Sequence, residues 1–255
     1  MAYRRGAPLV SFGPHFVPFV AMFHLVLAAV RVCDWVVYRV RFRGRENLRG
    51  AAPAVLVSNH TLLFDPGIIS HAISPRRTYF TMLEETALIP YLGTFVRLLG
   101  AIPIPQGAGS LRVLDEAARM AFHTLGFLHF FPEGELSLQN QQLQEFHPGA
   151  FLLACRHGLP IIPVTTVLHR RQWRGRSVLR VAGRALRIPP RVTVVVGRPI
   201  LPAEADRRSP VRAARKLAQA VREEMQSTID AYGGSKEIGR GLMPRLVRHA
   251  EAKSA

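Results

Sequence analysis

His60 and Asp65 are the residues in this chain best placed to do chemistry, an imidazole and a carboxylate in the run Ser58-Asn59-His60-Thr61-Leu62-Leu63-Phe64-Asp65-Pro66. A carboxylate bonded to one ring nitrogen fixes the tautomer and stabilises the imidazolium. The other nitrogen is then left to take a proton from a hydroxyl. A His/Asp pair that only holds structure has the same spacing, so the pair alone does not decide. The element that must position it is Ala54-Val55-Leu56-Val57, a continuous apolar run bounded by turn residues, which reads as a short buried strand. A strand that ends in histidine and then turns presents the ring at a sheet edge, where Asp65 can fold back onto it.

A second block, Phe131-Pro132-Glu133-Gly134, directly follows the apolar strand Gly126-Phe127-Leu128-His129-Phe130. Between the two blocks lies Gly100-Ala101-Ile102-Pro103-Ile104. Beyond them come Phe146-His147-Pro148-Gly149-Ala150, leading into Phe151-Leu152-Leu153-Ala154, and then Leu159-Pro160-Ile161-Ile162-Pro163-Val164. In order and spacing these blocks resemble the glycerolipid acyltransferase family, whose best-known members are the 1-acyl-sn-glycerol-3-phosphate acyltransferases. The resemblance runs from about residue 40 to residue 200. It implies transfer of a fatty acyl group from acyl-coenzyme A or an acyl carrier protein to a lysophospholipid hydroxyl, with no bound cofactor. It also implies direct attack, with His60 as base and Asp65 as its orienter. Asn59, Gln106, Phe131, Pro132, Glu133, Gly134 and Pro163 are the expected substrate-binding positions.

Such a transfer needs a deprotonated hydroxyl, a carbonyl held beside it, and stabilisation of the oxyanion that forms. Backbone N–H groups of the Pro132-Glu133-Gly134 turn are candidate oxyanion or acceptor contacts, since glycine lets the backbone approach closely. Glu133 is expected either to hold acceptor hydroxyls or to brace the site; the plain alternative is an ordinary turn carboxylate. Ser58, two residues before His60 on the same strand, keeps open a covalent acyl-enzyme, although no Gly-x-Ser-x-Gly elbow is present. No further ligand cluster with metal spacing lies near His60 and Asp65, so no metal site is expected.

Two positions depart from the family pattern. Gln106 and Leu136 stand where members acting on phosphate-bearing acceptors usually carry arginine, and Glu135 adds a negative charge. Neither glutamine nor leucine can supply a bidentate guanidinium grip on phosphate. Either another arginine serves, with Arg97, Arg112 and Arg156 as candidates by position, or the acceptor is not a phosphomonoester. A third reading, a basic membrane-binding protein without activity, is opposed by the intact His60/Asp65 pair.

Composition agrees with a lipid-facing protein. The 255 residues suit one domain with a full core, 48% of them are hydrophobic, and the formal net charge is +17. Mean hydropathy is +0.11 and the isoelectric point is near 11.4. Such a charge calls for an anionic partner, nucleic acid or an anionic membrane face. No zinc-finger spacing, recognition-helix pattern or aromatic-interleaved basic stretch supports nucleic acid. Lys216, Lys236 and Lys253 are the only lysines, so the charge is almost all arginine. Cys33 and Cys155 are too few and too far apart for a disulfide framework, which points to a reducing, cytosol-facing compartment.

The N-terminal stretch is apolar and densest from Val17 to Val30, but Pro14, His15, Pro18 and His24 interrupt it. A membrane crossing needs about 20 apolar residues. A segment lying in one leaflet fits better, with Trp35, Tyr38, Arg31, Arg39 and Arg41 at the headgroups; the alternative is a helix packed on the core. Family members commonly carry such an anchor. We therefore expect a hydrophobic membrane-associating segment over 1–40, an acyltransferase α/β domain over 41–232 and a basic tail over 233–255. The expected site is the cytoplasmic face of the cell membrane.

The rest of the chain alternates. Strands are expected near 54–58, 78–82, 100–104, 126–131, 160–168, 177–183 and 192–197. Helices are expected near 66–73, 84–98, 110–124, 149–157 and 209–231. Strands separated by helical segments imply an α/β fold with a mixed, largely parallel sheet flanked by helices. In such sheets reactive groups gather beyond the strand ends, where both blocks lie.

Overall fold

A computed structural model describes residues 17–76, 78–91, 93, 96, 100–105, 107, 110–123, 126–171, 178–181, 184–203 and 209–234. Seven strands form one sheet: β1 (Arg41–Arg43), β2 (Ala54–Ser58), β3 (Thr78–Leu83), β4 (Ala101–Ile104), β5 (Phe127–Phe130), β6 (Ile161–His169) and β9 (Arg191–Val196). Their order across the sheet is β1-β9-β6-β2-β5-β3-β4. Every neighbouring pair is parallel except β6 and β9, which run antiparallel. β7 (Val178–Val181) and β8 (Arg184–Arg187) form a separate antiparallel hairpin. This is the mixed, largely parallel sheet that the alternating sequence implies.

The central strands read as continuous apolar runs because both faces are covered. All five residues of β2 and all four of β5 are buried. One face packs against α4 (Ser110–His123), α5 (Gly149–His157) and α6 (Pro210–Ala231), through Leu114, Phe151, Val221 and Met225. The other packs against α2 (Asp65–Ile73), through Ile68, Ile69 and Ile73. Residues on α6 recur at helical spacing (Ala214, Ala218, Val221, Met225, Ile229), which buries one stripe of an otherwise polar helix.

Where sequence and structure differ, the cause is local. The helix expected over 84–98 is observed as α3 (Glu84–Leu88); of the rest, residues 92, 94, 95, 97 and 98 lie outside the described ones. β1 escapes sequence reading because three residues with two arginines carry no apolar run, and it is held by pairing with β9. The expected basic tail lies outside the described residues from 235 onward.

α1 (Val17–Cys33) continues into a wider helical turn, Asp34–Tyr38, and packs on α2. Gly67 allows the approach, since a Cβ there would sit 3.1 Å from the Val30 side chain. Arg31 donates to Ser74 Oγ at 2.7 Å, and Asp34 Oδ2 lies 2.8 Å from His71 Nδ1. Leu25, Val32, Trp35 and Val36 nevertheless remain exposed. Among the described residues no helix is long and apolar enough to cross a membrane.

The turn after β1 fixes the edge of the sheet. Gly44 has φ +71, and the Asn47 amide donates to Val196 O at 2.9 Å. A Cβ on Gly44 would run into that same carbonyl oxygen. Gly44→Ala combines a left-handed backbone with this clash, so it is expected to cost about 1–3 kcal/mol or more. Thermal unfolding should show a midpoint lowered by at least about 2–4 °C per kcal/mol. An unchanged midpoint would mean that this turn contributes nothing to docking β1.

Candidate functional site

Parallel pairing of β2 with β5 sets Val57 beside Phe130, so continuing both chains by three residues brings His60 beside Glu133. The contact is direct: the His60 N–H donates to Glu133 Oε1 at 3.0 Å. Glu133 Oε2 accepts the Gln144 N–H at 3.1 Å, so this carboxylate braces two backbone segments. It is 6% exposed, and burial pushes its pKa up against the pull of those two hydrogen bonds.

His60 Nδ1 lies 3.1 Å from Asp65 Oδ2, and the same oxygen accepts the N–H groups of Thr61 at 2.6 Å and Leu62 at 2.7 Å. Asp65 is completely buried at the first turn of α2, followed by Pro66. Proline suits that position, since its missing N–H would have no helical partner there. Burial raises the Asp65 pKa, while His60 and the two N–H groups pull it back. Oδ1 has no hydrogen-bond partner among the described residues. Because Nδ1 faces Asp65, Nε2 is the ring nitrogen left to accept a proton, and the His60 side chain keeps 19% exposure.

A row of rings fixes the imidazole plane. His60 stacks on Phe131 with centroids 4.0 Å apart at 17°. Phe131 meets His129 edge-on at 4.6 Å, and His129 tilts against Phe80 at 4.7 Å. His129 and Phe131 are two residues apart on one strand and its extension, and so share a face. His129 is fully buried and its Nε2 lies 2.7 Å from Ser58 Oγ. Burial first, and then the His60 charge, lowers its pKa to about 3, which keeps it neutral. Sequence reading treats His129 as part of an apolar strand; its alternation with Phe131 was the available signal.

The remaining expected positions divide. Asn59 is 1% exposed, and its amide bonds both the N–H and the carbonyl of Thr166, at 2.8 and 2.9 Å. It extends the β2–β6 pairing beyond Ser58, and in this structure its side chain faces protein backbone. Pro132 is buried, and its carbonyl accepts the His147 N–H at 2.8 Å. Gly134 has φ +76 and lies against the His147 ring, where a Cβ would come within 2.9 Å. Its N–H donates to Phe131 O at 3.0 Å, and Pro132 has none, which leaves the Glu133 N–H as the turn's remaining donor. Pro163 sits beside Val57 within the sheet, three residues short of the His60 level, and packs on Gly197. Gln106 lies outside the described residues, as does Arg97.

Of the candidate arginines, Arg156 ends α5, which feeds the start of β6 at the opposite sheet edge, and it pairs with Asp115 at 3.5 Å. It is therefore removed as a phosphate contact for this site. Arg112 lies in the first turn of α4, following β4, on the same sheet edge as His60. Leu136 is half-buried beside Ser137, whose N–H donates to His60 O at 3.0 Å. No group of three or more potential metal ligands occurs among the described residues.

Against known proteins, the sequence profile described as Acyltransferase matches residues 39–167, just over half of the 255. The chain belongs to the Acyltransferase family. The matched span contains β1, β2 and β5 together with His60, Asp65 and Glu133. A 1-acyl-sn-glycerol-3-phosphate acyltransferase of Chlamydomonas reinhardtii is 28% identical over 208 residues, covering 79% of this chain and 57% of that protein. The human lysophospholipid acyltransferase LPCAT4 is 31% identical over 155 residues, covering 56% of this chain and 28% of that protein. This chain thus spans less than two thirds of either relative. The crystal structure of the 1-acyl-sn-glycerophosphate acyltransferase PlsC of Thermotoga maritima shares the fold, with a TM-score of 0.56 at 20% identity over 86% of this chain and 84% of that one.

Ser58 is fully buried and bonded to neutral His129, behind the ring row and not at the surface where His60 emerges. Ser58→Ala should therefore keep acyl transfer within about threefold of wild type. It should lower stability by about 1–3 kcal/mol, because the His129 ring nitrogen loses its buried partner. A loss of turnover by orders of magnitude in the folded variant would make Ser58 a covalent nucleophile.

Proposed function

We propose that this protein transfers a fatty acyl group from an acyl thioester, acyl-coenzyme A or acyl carrier protein, to a lysophospholipid hydroxyl, with His60 and Asp65 as a general-base pair. The observation that carries the reading is the His60–Asp65 contact at 3.1 Å, presented at a sheet edge beside the Glu133 turn. In the reaction Nε2 accepts the proton as the acceptor oxygen attacks the thioester carbonyl. Asp65 stabilises the imidazolium, and the tetrahedral intermediate then collapses to expel the thiolate, which takes up the proton. Phe131 holds the ring in plane, and the Glu133 N–H is the candidate donor to the developing oxyanion. The family membership and the printed names of the relatives support this class of reaction.

Apolar surface supports a lipid substrate. Leu63 is 71% exposed and Phe64 47%, within the turn that joins His60 to Asp65. Leu83, Leu88, Ile89 and Tyr91, at and beyond the end of β3, are also exposed on this sheet edge. Together with the outward Leu25, Val32, Trp35 and Val36 they favour work at a membrane surface, with the arginines at the headgroups. Lysophosphatidic acid is the default acceptor. Leu136, next to the residue that bonds the His60 carbonyl, is the observation that favours a lysolipid without a phosphomonoester.

The test is transfer from labelled acyl-coenzyme A to a panel of lysolipids with and without a phosphomonoester. His60→Ala should lower turnover by about 10²–10⁴-fold with the fold intact. Asp65→Asn should lower it by about 10²-fold or more, through the wrong tautomer and an unsupported imidazolium. His60→Ala at near wild-type turnover would end the general-base assignment, and no transfer to any acceptor by wild type would end the acyltransferase reading.

A further inference from the structure

A cleft of about 360 Å³ opens beside the edge strand of the sheet, walled by Arg41 and Arg43 from β1, Arg191 from β9, and Arg39 from the bend before β1. Strand geometry gathers them. Arg41 and Arg43 flank Phe42 and so share one face of β1, while the Phe42 ring turns to the other face, 4.8 Å from that of His71. Pairing sets Arg41 beside Thr193 and Arg191 beside His169. His169 Nε2 and Thr193 Oγ1 lie 3.0 Å apart on the wall, and Tyr232, just past α6, closes one side.

No acidic side chain lines the cleft, and Asp230, two residues before Tyr232, lies 3.4 Å from Gln226 Nε2. Guanidinium groups held together without a carboxylate repel one another until an anion enters. Their planar forks, with the hydroxyls beside them, suit phosphate oxygens. Their field reaches His169, whose pKa is lowered first by burial and then by Arg191 and Arg41. The cleft opens on the sheet face that α6 covers, whereas α2, Asp65 and His60 lie on the other. Its ligand is therefore not a substrate of the His60 site.

What adjoins the cleft selects the ligand. The Arg39 N–H donates to Asp34 O, which closes the wide helical turn Asp34–Tyr38 and places Arg39 at its end. Arg171, just past β6, donates to Val37 O at 3.2 Å and ties that turn to the strand end carrying His169. The same turn holds Trp35, 79% exposed, and Val36, which continue the outward face of Leu25 and Val32 at helical spacing. An apolar face ending in an indole, with a cationic cleft at its border, matches the acyl-chain and phosphate layers of a bilayer surface. A soluble phosphate compound has no use for the apolar half. β2 and β6 run parallel, so His60 and His169 emerge at the same sheet edge, on opposite faces. A headgroup held in the cleft turns that edge, with the exposed Leu63 and Phe64, toward the lipid.

We propose that the Arg39/Arg41/Arg43/Arg191 cleft binds the phosphate of an anionic phospholipid in a bilayer, as a docking site apart from the acyl-transfer site. The inference does not depend on the acyl-transfer reading, because binding is measured without turnover. The experiment floats the full-length protein with vesicles of phosphatidylcholine alone and of equimolar phosphatidylcholine and phosphatidylglycerol, at physiological ionic strength. Arg41→Gln/Arg191→Gln removes two charges from the cleft. Arg212→Gln/Arg215→Gln removes the same charge from the start of α6, about 25–30 Å along the helix from Tyr232. Arg41→Lys/Arg191→Lys keeps the charge and loses the forks. Partition onto the mixed vesicles should fall about tenfold or more in the cleft glutamine variant and stay within about twofold in the α6 variant, with the lysine variant between wild type and glutamine. Equal losses in the cleft and α6 variants would mean general charge attraction and overturn the proposal. So would undiminished binding in the folded cleft variant, a lysine variant that falls as far as the glutamine one, or a wild type that gains nothing from phosphatidylglycerol. Inorganic phosphate that saturates the cleft by calorimetry yet leaves vesicle binding unchanged would overturn it as well, and would make this a site for a soluble anion.

Discussion

The parallel pairing of β2 with β5 is the constraint on which the site depends. The two strands meet in a register that makes His60 and Glu133, 73 residues apart in sequence, neighbours just past the sheet edge. A slip of one residue in either strand would turn its side chains to the other face and separate them. Glu133 locks the register where the ladder ends, by taking the His60 N–H on one oxygen and the Gln144 N–H on the other. Asn59 does the same on the other side, holding both backbone groups of Thr166. The tip of β2 is thus pinned to β5 and β6 by side chains after backbone pairing ends.

That pinning explains the concentration of buried polar groups under the site. Ser58, Asn59, Thr61, Asp65, His129 and Glu133 are all buried, and each one that engages a backbone group or ring removes a way for His60 to move. Burying such groups is costly unless they are bonded. The row Phe80–His129–Phe131–His60 adds a stiff aromatic support from three strands. His129 does this while staying neutral, so it would not compete with the positive charge that His60 takes on as the proposed general base. The same architecture leaves the Leu63 and Phe64 side chains exposed, because the Asp65 carboxylate gathers the turn through the Thr61 and Leu62 N–H groups.

The buried strands and the long amphipathic helices were legible in the sequence because β-branched runs and helical periodicity report burial directly. The His60/Asp65 spacing was legible for the same reason, since strand end, turn and helix start leave little choice. Gln141 and Gln226 were not legible: they bond the Leu168 and Leu143 backbone N–H groups across the fold, and nothing local marks them. Nor was the role of the Gly134 N–H, which closes its own turn onto Phe131 although glycine there suggests an open donor. Arg156 suited a substrate role by sequence position alone, but the connection from α5 into β6 takes it to the far edge of the sheet. β1 was hidden because its pairing, and not its composition, makes it a strand.

The central claim is that His60, held by Asp65 and Phe131, removes the acceptor proton in the step that forms the ester. It is tested most directly by the pH dependence of kcat/KM for the acceptor. A base must be unprotonated to act, so the logarithm should rise with pH with a slope of about one and then level off. In His60→Gln, folded and measured in the same buffers, the residual rate should lose that rise. A flat wild-type profile, or the same rise persisting in His60→Gln, would contradict the account.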